Sequence, residues 1–210
     1  MLDLILPLEC GGCGMPATPW CDACARQFVV QPDEPHLITP RIDPLVPVFA
    51  LGRYGGARRR AILAMKEQGR ADLVAPLARA LALGVHRLLD WGIVETPLTI
   101  VPAPTRRSAA RRRGGDPVAR VAAAAVARHP DVTVRPVLRL KALSRDSVGL
   151  DPGARERNVA GRVLLRGRWP RSEVLLVDDV VTTGATARES VRVLTAGGVA
   201  VTAVLALAAA

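Results

Sequence analysis

Two adjacent carboxylates followed by a hydroxyl-rich turn are the most informative residues of the sequence. Asp178 and Asp179 follow the apolar run Val174 to Val177, which is typical of a parallel strand covered on both faces. Open α/β sheets bind ligands at the carboxyl ends of such strands. Thr182 to Thr186 then lead into a helical pattern, so free N–H groups, hydroxyls and the positive helix end would converge on one anion. Carboxylates suit sugar hydroxyls and Mg²⁺-bound water, so the stretch predicts a phosphosugar site.

A Walker B strand, or only a solvated strand end, is the alternative interpretation of an apolar strand that ends in Asp-Asp. Walker B strands work with a Gly-x4-Gly-Lys-Ser/Thr loop, and the only lysines, Lys66 and Lys141, lie in no such loop. The run from Val177 to Thr186 instead resembles the phosphoribosyl pyrophosphate (PRPP) signature of type I phosphoribosyltransferases. By this resemblance Asp178 and Asp179 would be catalytic and hold the ribose hydroxyls. The cofactor-binding residues would be Val180, Val181, Thr182, Thr183, Gly184, Ala185 and Thr186.

All four cysteines of the chain lie in two Cys-x2-Cys pairs, Cys10 with Cys13 and Cys21 with Cys24. Two such pairs can close a tetrahedral thiolate site around Zn²⁺. Two disulfides are the alternative, which a reducing cytosol disfavours, and a redox motif lacks the surrounding βαβ pattern. The spacing therefore predicts a structural zinc site with no open coordination position.

The composition favours a polyanionic partner. The chain has 210 residues, with 29 basic against 19 acidic, which gives a net charge of +10. PRPP, nucleotides and nucleic acid all fit this charge, and so does a general arginine bias on solvated faces. The apolar start lacks the features of a signal peptide, and no apolar run reaches the roughly 18 residues of a membrane span. A cytoplasmic protein without membrane insertion is expected.

The remaining pattern predicts an α/β domain, with a mainly parallel sheet and flanking helices, over residues 48–210. Residues 1–30 would form a small zinc ribbon with four cysteine ligands, and the proline-rich residues 31–47 an extended linker. Strands are expected at Val48 to Leu51, Leu98 to Val101, Val132 to Leu140 and Val199 to Leu207. Helices are expected from Ala57 to Glu67, from an Asp72 cap to about Leu89, and from Asp116 to Arg128.

Two basic segments flank the predicted sheet. Thr105 to Gly115 carries five arginines between a strand end and the Asp116-Pro117 helix start, so it predicts a second anion site or a solvated charge run. Lys141 to Ala160 lacks apolar periodicity and is long enough for a lid. Lys66, at a helix end, is a weak candidate ligand.

The order of these parts resembles the ComF family of competence-associated, phosphoribosyltransferase-like proteins. The shared parts include the paired Cys-x2-Cys knuckle, Tyr54, Met65-Lys66 and the run Val101-Pro102-Ala103-Pro104. The departures are Gly115-Asp116-Pro117 after Arg113-Gly114, where the family has Phe-Asn-Gln, and Ser147, where the family carries a glutamine nearby. By this resemblance the pyrophosphate loop contains Pro104, Arg106, Arg112, Arg113 and Gly114, and the lid contains Arg145, Arg157 and Asn158.

The resemblance implies a type I phosphoribosyltransferase fold that binds PRPP with Mg²⁺ and transfers phosphoribosyl to an acceptor, in DNA uptake or nucleotide metabolism. Two alternatives stay open: a single-stranded DNA-binding competence factor and a PRPP-responsive regulator without catalysis. Strand binding usually uses clustered aromatic side chains, and the few aromatics here are scattered. The transferase is therefore ranked first.

Overall fold

The computed structural model describes residues 8–105, 115–141, 161–167 and 172–210. Its main sheet has six strands: β1 (His36–Ile38), β2 (Val48–Ala50), β3 (Leu98–Pro102), β4 (Val132–Val134), β7 (Glu173–Val181) and β8 (Val201–Ala209). Their order is β1-β2-β8-β7-β3-β4, and only the edge strand β1 runs antiparallel to its neighbour. A separate antiparallel pair joins β5 (Leu138–Leu140) to β6 (Val163–Leu165). The predicted α/β class with a mainly parallel sheet is confirmed.

Helices cover both faces of the sheet. They are α1 (Asp22–Gln27), α2 (Gly56–Glu67), α3 (Val74–Asp90), α4 (Pro117–Ala125) and α5 (Ala185–Ala196), with a 3₁₀ turn at Ala71–Leu73 before α3. One buried cluster contains residues of α2, α3 and α4, and the other contains those of α5 with the β5–β6 pair. Along β7 the apolar side chains alternate between these clusters, as the period of a strand requires.

Two helix boundaries follow directly from the sequence. Asp116 caps α4, because its carboxylate accepts hydrogen bonds from the backbone N–H groups of Val118 and Ala119, and Pro117 takes the first helical position. The helix α5 ends at a pair of glycines, with Gly197 as its C-cap and Gly198 at a φ of 77°.

Three local predictions are corrected. The expected strand Val132 to Leu140 is two strands in different sheets, since Pro136 lacks the N–H that a continuous ladder needs. Asp72 does not cap α3: it lies in the 3₁₀ turn, and Arg70 Nη2 lies 2.6 Å from its Oδ2. The proline-rich stretch 31–47 is not all extended linker, because it contributes β1.

Among the described residues, no helix combines the length and the apolar character that crossing a bilayer requires.

Candidate functional site

The chain changes direction across the sheet between β3 and β7. From β3 the chain passes through α4 to β4 on one side, and from β7 it passes through α5 to β8 on the other. The two helices pack in different clusters, on opposite faces of the sheet. Such a switch point opens a crevice beyond the carboxyl ends of the two strands, and ligands of α/β sheets bind there. The topology therefore predicts a ligand site at the end of β7 where Asp178 and Asp179 lie.

Asp178 and Asp179 lie inside β7, near its carboxyl end, because the ladder with β8 continues to Val181. They are 9% and 4% exposed. Asp178 Oδ1 accepts a hydrogen bond of 2.8 Å from the backbone N–H of Asp179. Burial raises the pKa of Asp178 well above its ordinary value, and the charge of Asp179 adds to the rise while that of Lys66 opposes it. The strand thus holds two carboxyl groups side by side with little access to water.

Lys66, in the last turn of α2, approaches this pair. Its Nζ lies 2.8 Å from Asp179 Oδ2, and its side chain is 36% exposed. The charge of Asp179 is the main cause of the raised pKa of Lys66. The contact is an ion pair, because an ammonium and a carboxylate oxygen of opposite charge lie 2.8 Å apart, and Oδ2 accepts no hydrogen bond from any other described residue. Lys66 was a weak sequence candidate, and the structure places it in direct contact with the site.

The turn after β7 is braced by the proline-rich segment. Thr183 O accepts a hydrogen bond of 2.8 Å from the backbone N–H of Ile42. Gly184 has a φ of 88°, and a Cβ there would overlap Ile42 O and lie 2.9 Å from Pro40 Cβ. The resemblance placed Gly184 in the cofactor-binding turn, and the structure shows a further requirement for glycine there, the close approach of another backbone segment. The turn is thus attached to the proline-rich segment by a backbone hydrogen bond and by close packing at Gly184.

The other predicted residues of this turn surround the start of α5. Thr182 is exposed, Thr183 and Thr186 are half-buried, and Ala185 is the buried first residue of the helix. Thr183 Oγ1 accepts a hydrogen bond of 3.3 Å from the N–H of Ala185. Other N–H groups of the first turn have no intrahelical acceptor, so they can bind an anion. Of the two preceding valines, Val180 is half-buried and Val181 buried.

The end of β3 lies beside the acidic pair. Pro102 pairs with Val177 in the ladder, and the N–H of Ala103 donates a 2.7 Å hydrogen bond to Val177 O. Pro104 follows and is buried. On the far side of the basic segment, burial raises the pKa of Asp116, and the charge of Asp179 contributes. Both ends of that segment therefore lie near the carboxylates.

Several predicted site residues lie outside the described residues. They are Arg106, Arg112, Arg113 and Gly114 of the predicted pyrophosphate loop, and Arg145, Arg157 and Asn158 of the predicted lid.

The four cysteines form a second candidate site. Their sulfur atoms all lie within 4.8 Å of one another, and all four are free thiols. Cys21 Sγ is 3.6 Å from both Cys10 Sγ and Cys13 Sγ. Four sulfurs at about 2.3 Å from Zn²⁺ in a tetrahedron would be about 3.8 Å apart, so these separations fit. The cluster could hold a metal such as zinc.

The surroundings of Cys10 favour a thiolate. Burial raises the pKa of its thiol, but backbone N–H groups of Cys21, Cys13 and Gly12 lower it more, to about 6 overall. One of these bonds runs 3.4 Å from the N–H of Cys21 to Cys10 Sγ. Thiolates are the metal-binding form of cysteine, so Cys10 is suited to bind a metal, whereas burial and the neighbouring thiols raise the pKa of Cys24. Gly12 leaves room for the cluster, because a Cβ there would lie 2.5 Å from Cys24 Sγ.

The knuckle packs directly on the main domain. Arg58 of α2 is 7% exposed; its Nη1 donates a 3.1 Å hydrogen bond to Leu207 O of β8, and its Nη2 a 3.5 Å bond to Gln27 O. Its guanidinium lies 4.8 Å from the ring centroid of Phe28, which packs edge-on against Trp20. A buried arginine thus joins α1 to the central sheet.

Glu189 of α5 is a further buried polar residue that the sequence pattern did not indicate. Its Oε1 accepts a 2.8 Å hydrogen bond from the N–H of Gly161, and both its oxygens accept bonds of 2.8 Å from Arg192. Residues three apart on a helix lie side by side, so the spacing of Glu189 and Arg192 could have indicated this ion pair.

Comparison with protein-family models and with curated proteins gives no match for this chain.

Proposed function

We propose that the protein binds PRPP together with Mg²⁺ and transfers its phosphoribosyl group to an acceptor. One observation carries the proposal: the acidic pair and the threonine turn converge at the switch point between β3 and β7. A phosphosugar needs acceptors for its ribose hydroxyls and donors for its phosphate, and this site offers both within one turn of chain. We assign the chain to the type I phosphoribosyltransferase fold on the same ground.

In this proposal the acidic pair acts on the ribose and the threonine turn binds the phosphate. Asp178 and Asp179 accept hydrogen bonds from the ribose hydroxyls, and residues Thr182 to Thr186 bind the 5-phosphate with the N–H groups of α5. Mg²⁺, when bound with PRPP, would neutralise charge on the pyrophosphate. The buried carboxylates favour the positive charge that develops on the ribose as its bond to pyrophosphate breaks. The protein therefore acts mainly by positioning and by electrostatics.

The cysteine cluster supports the proposed membership of the ComF family, because the family combines such a knuckle with a phosphoribosyltransferase-like domain. We propose that the bound metal is zinc and that its role is structural, since four thiolates leave no open coordination position.

Calorimetric titration with PRPP and Mg²⁺ tests the site. Changing Asp178 and Asp179 together to asparagine should remove two charged hydrogen bonds, about 3 kcal/mol, and weaken PRPP binding roughly a hundredfold. Asp90→Asn is the control, because the Asp90 side chain is 47% exposed and lies on α3 beside His86. Unchanged PRPP affinity in the double variant would remove the acidic pair from the site.

Transfer is tested by pyrophosphate release. The protein with PRPP, Mg²⁺ and a panel of nucleobases, amines and cell extract should release pyrophosphate only when an acceptor is present. PRPP binding without any such release would favour a regulator without catalysis. Competition between PRPP and single-stranded DNA would show whether the basic segments bind a DNA backbone at the same place.

A further inference from the structure

A lysine ammonium lies beside the acidic pair, at ion-pair distance from one of its carboxylate oxygens. Lys66 Nζ lies 2.8 Å from Asp179 Oδ2, and that oxygen accepts no well-formed hydrogen bond from the described residues. The charge of Lys66 also acts on Asp178. Asp116 is a further titratable group, whose pKa is raised by burial and by the charge of Asp179.

Asp179 without Lys66 would carry an uncompensated charge in a buried place. The two carboxylates are 9% and 4% exposed, and burying an unpaired charge is costly. Buried carboxylate oxygens with free acceptor capacity are what Mg²⁺ and Mn²⁺ bind. With the lysine in place, a divalent cation would meet a positive charge at hydrogen-bonding distance from Asp179, and the repulsion would oppose its entry.

The Lys66 side chain can leave as well as occupy this position. It stands on a flexible four-carbon stem at the end of α2 and is 36% exposed, so its ammonium can move to water or toward an arriving phosphate. A ligand with a bound cation and free hydroxyl groups would replace the Lys66–Asp179 contact. Its cation would supply the positive charge, and its hydroxyls would supply the hydrogen-bond donors.

We propose that Lys66 is the resident counter-cation of the acidic pair and keeps divalent metal off it in the ligand-free protein. This exclusion of free metal does not depend on the proposed function.

Titration of the full-length, zinc-loaded protein with Mn²⁺ tests the exclusion, with free Mn²⁺ followed by electron paramagnetic resonance. Lys66→Met should gain one Mn²⁺ site per chain, at least about tenfold tighter than any site of the unchanged protein. Lys66→Arg is the matched control, because it keeps a cation on a long stem and should still exclude Mn²⁺. Adding Asp178→Asn and Asp179→Asn to Lys66→Met should abolish the new site.

Two results would overturn the proposal. One is Lys66→Met protein that is folded by circular dichroism and binds Mn²⁺ no more tightly than the unchanged protein. The other needs no change at Lys66: if Asp178→Asn with Asp179→Asn lowers the Mn²⁺ affinity of the otherwise unchanged protein, the lysine is not excluding metal. Failure of the unchanged protein to bind PRPP would overturn the proposed function instead, and the Mn²⁺ titration would still decide the role of Lys66.

Discussion

Gly184→Ala tests how firmly the proline-rich segment braces the threonine turn. Gly184 has a φ of 88°, and holding a residue with a Cβ there costs about 1–2 kcal/mol. The new Cβ would also overlap Ile42 O and crowd Pro40, and Ile42 donates the hydrogen bond that holds Thr183. The backbone shifts that make room for the new Cβ cost about 1–3 kcal/mol more. We therefore expect the free energy of unfolding to fall by about 2–5 kcal/mol.

Gly198→Ala is the matched control. Gly198 has a similar φ of 77°, but a Cβ there would meet nothing within 4 Å, so only the backbone strain remains. The entropy that alanine removes from the unfolded chain affects both variants equally and cancels in the comparison. The difference between the two variants, about 1–3 kcal/mol, isolates the contact with the proline-rich segment.

Thermal unfolding followed by circular dichroism, at one fixed zinc concentration, measures this difference. For a chain of this size each kcal/mol lowers Tm by about 2–4 °C, so Gly184→Ala should unfold about 2–12 °C below Gly198→Ala. Equal Tm values for the two variants would refute the bracing, and the glycine would then be required only for its φ.

Three further predictions concern the metal cluster, the buried arginine and pH. Cys21→Ser should lower the metal content below one zinc per chain, measured by elemental analysis of protein purified under reducing conditions, since Cys21 contacts two of the other sulfurs. Arg58→Met should lower the free energy of unfolding by about 1–3 kcal/mol in denaturant titration, because it leaves a buried carbonyl unpaired, while exposed Arg60→Met should change it little. Arg192 holds the pKa of Glu189 below its ordinary value, so this stabilisation is complete above about pH 4.5 and is lost as pH falls through the lowered pKa. Glu189→Gln should therefore lose less stability on acidification than the unchanged protein, and an equal loss would contradict the assignment.

The parts that the sequence predicted well are those that short-range rules determine. The apolar run Val174 to Val177 indicated a central parallel strand, and Asp116-Pro117 indicated a helix start, because a cap and its N–H partners are neighbours in the chain. The cysteine spacing likewise placed four sulfurs together.

The parts that the sequence missed depend on packing between distant segments. Lys66 precedes Asp179 by more than a hundred residues, and their contact follows from which face of β7 Asp179 occupies and where α2 ends on that face. No local pattern contains either fact. Asp72 does not cap α3 because its carboxylate accepts hydrogen bonds from the Arg70 side chain instead. The guanidinium and the N–H groups of the helix terminus compete for the same carboxylate oxygens.

The shared core of the knuckle and the main domain sets a limit on how the chain can be shortened. The predicted boundary near residue 48 separates the cysteine- and proline-rich segment from the α/β domain. One buried cluster nevertheless contains residues from both sides of it, since Cys24 and Phe28 belong to the same cluster as Ala57 and Leu73. A chain that began at residue 48 would expose the apolar surface at the start of α2 and would remove two contacts of Arg58, one with a backbone carbonyl and one with an aromatic ring. Removal of the knuckle would therefore also uncover one side of the helix that carries Lys66, although the two lie in separately predicted parts of the chain.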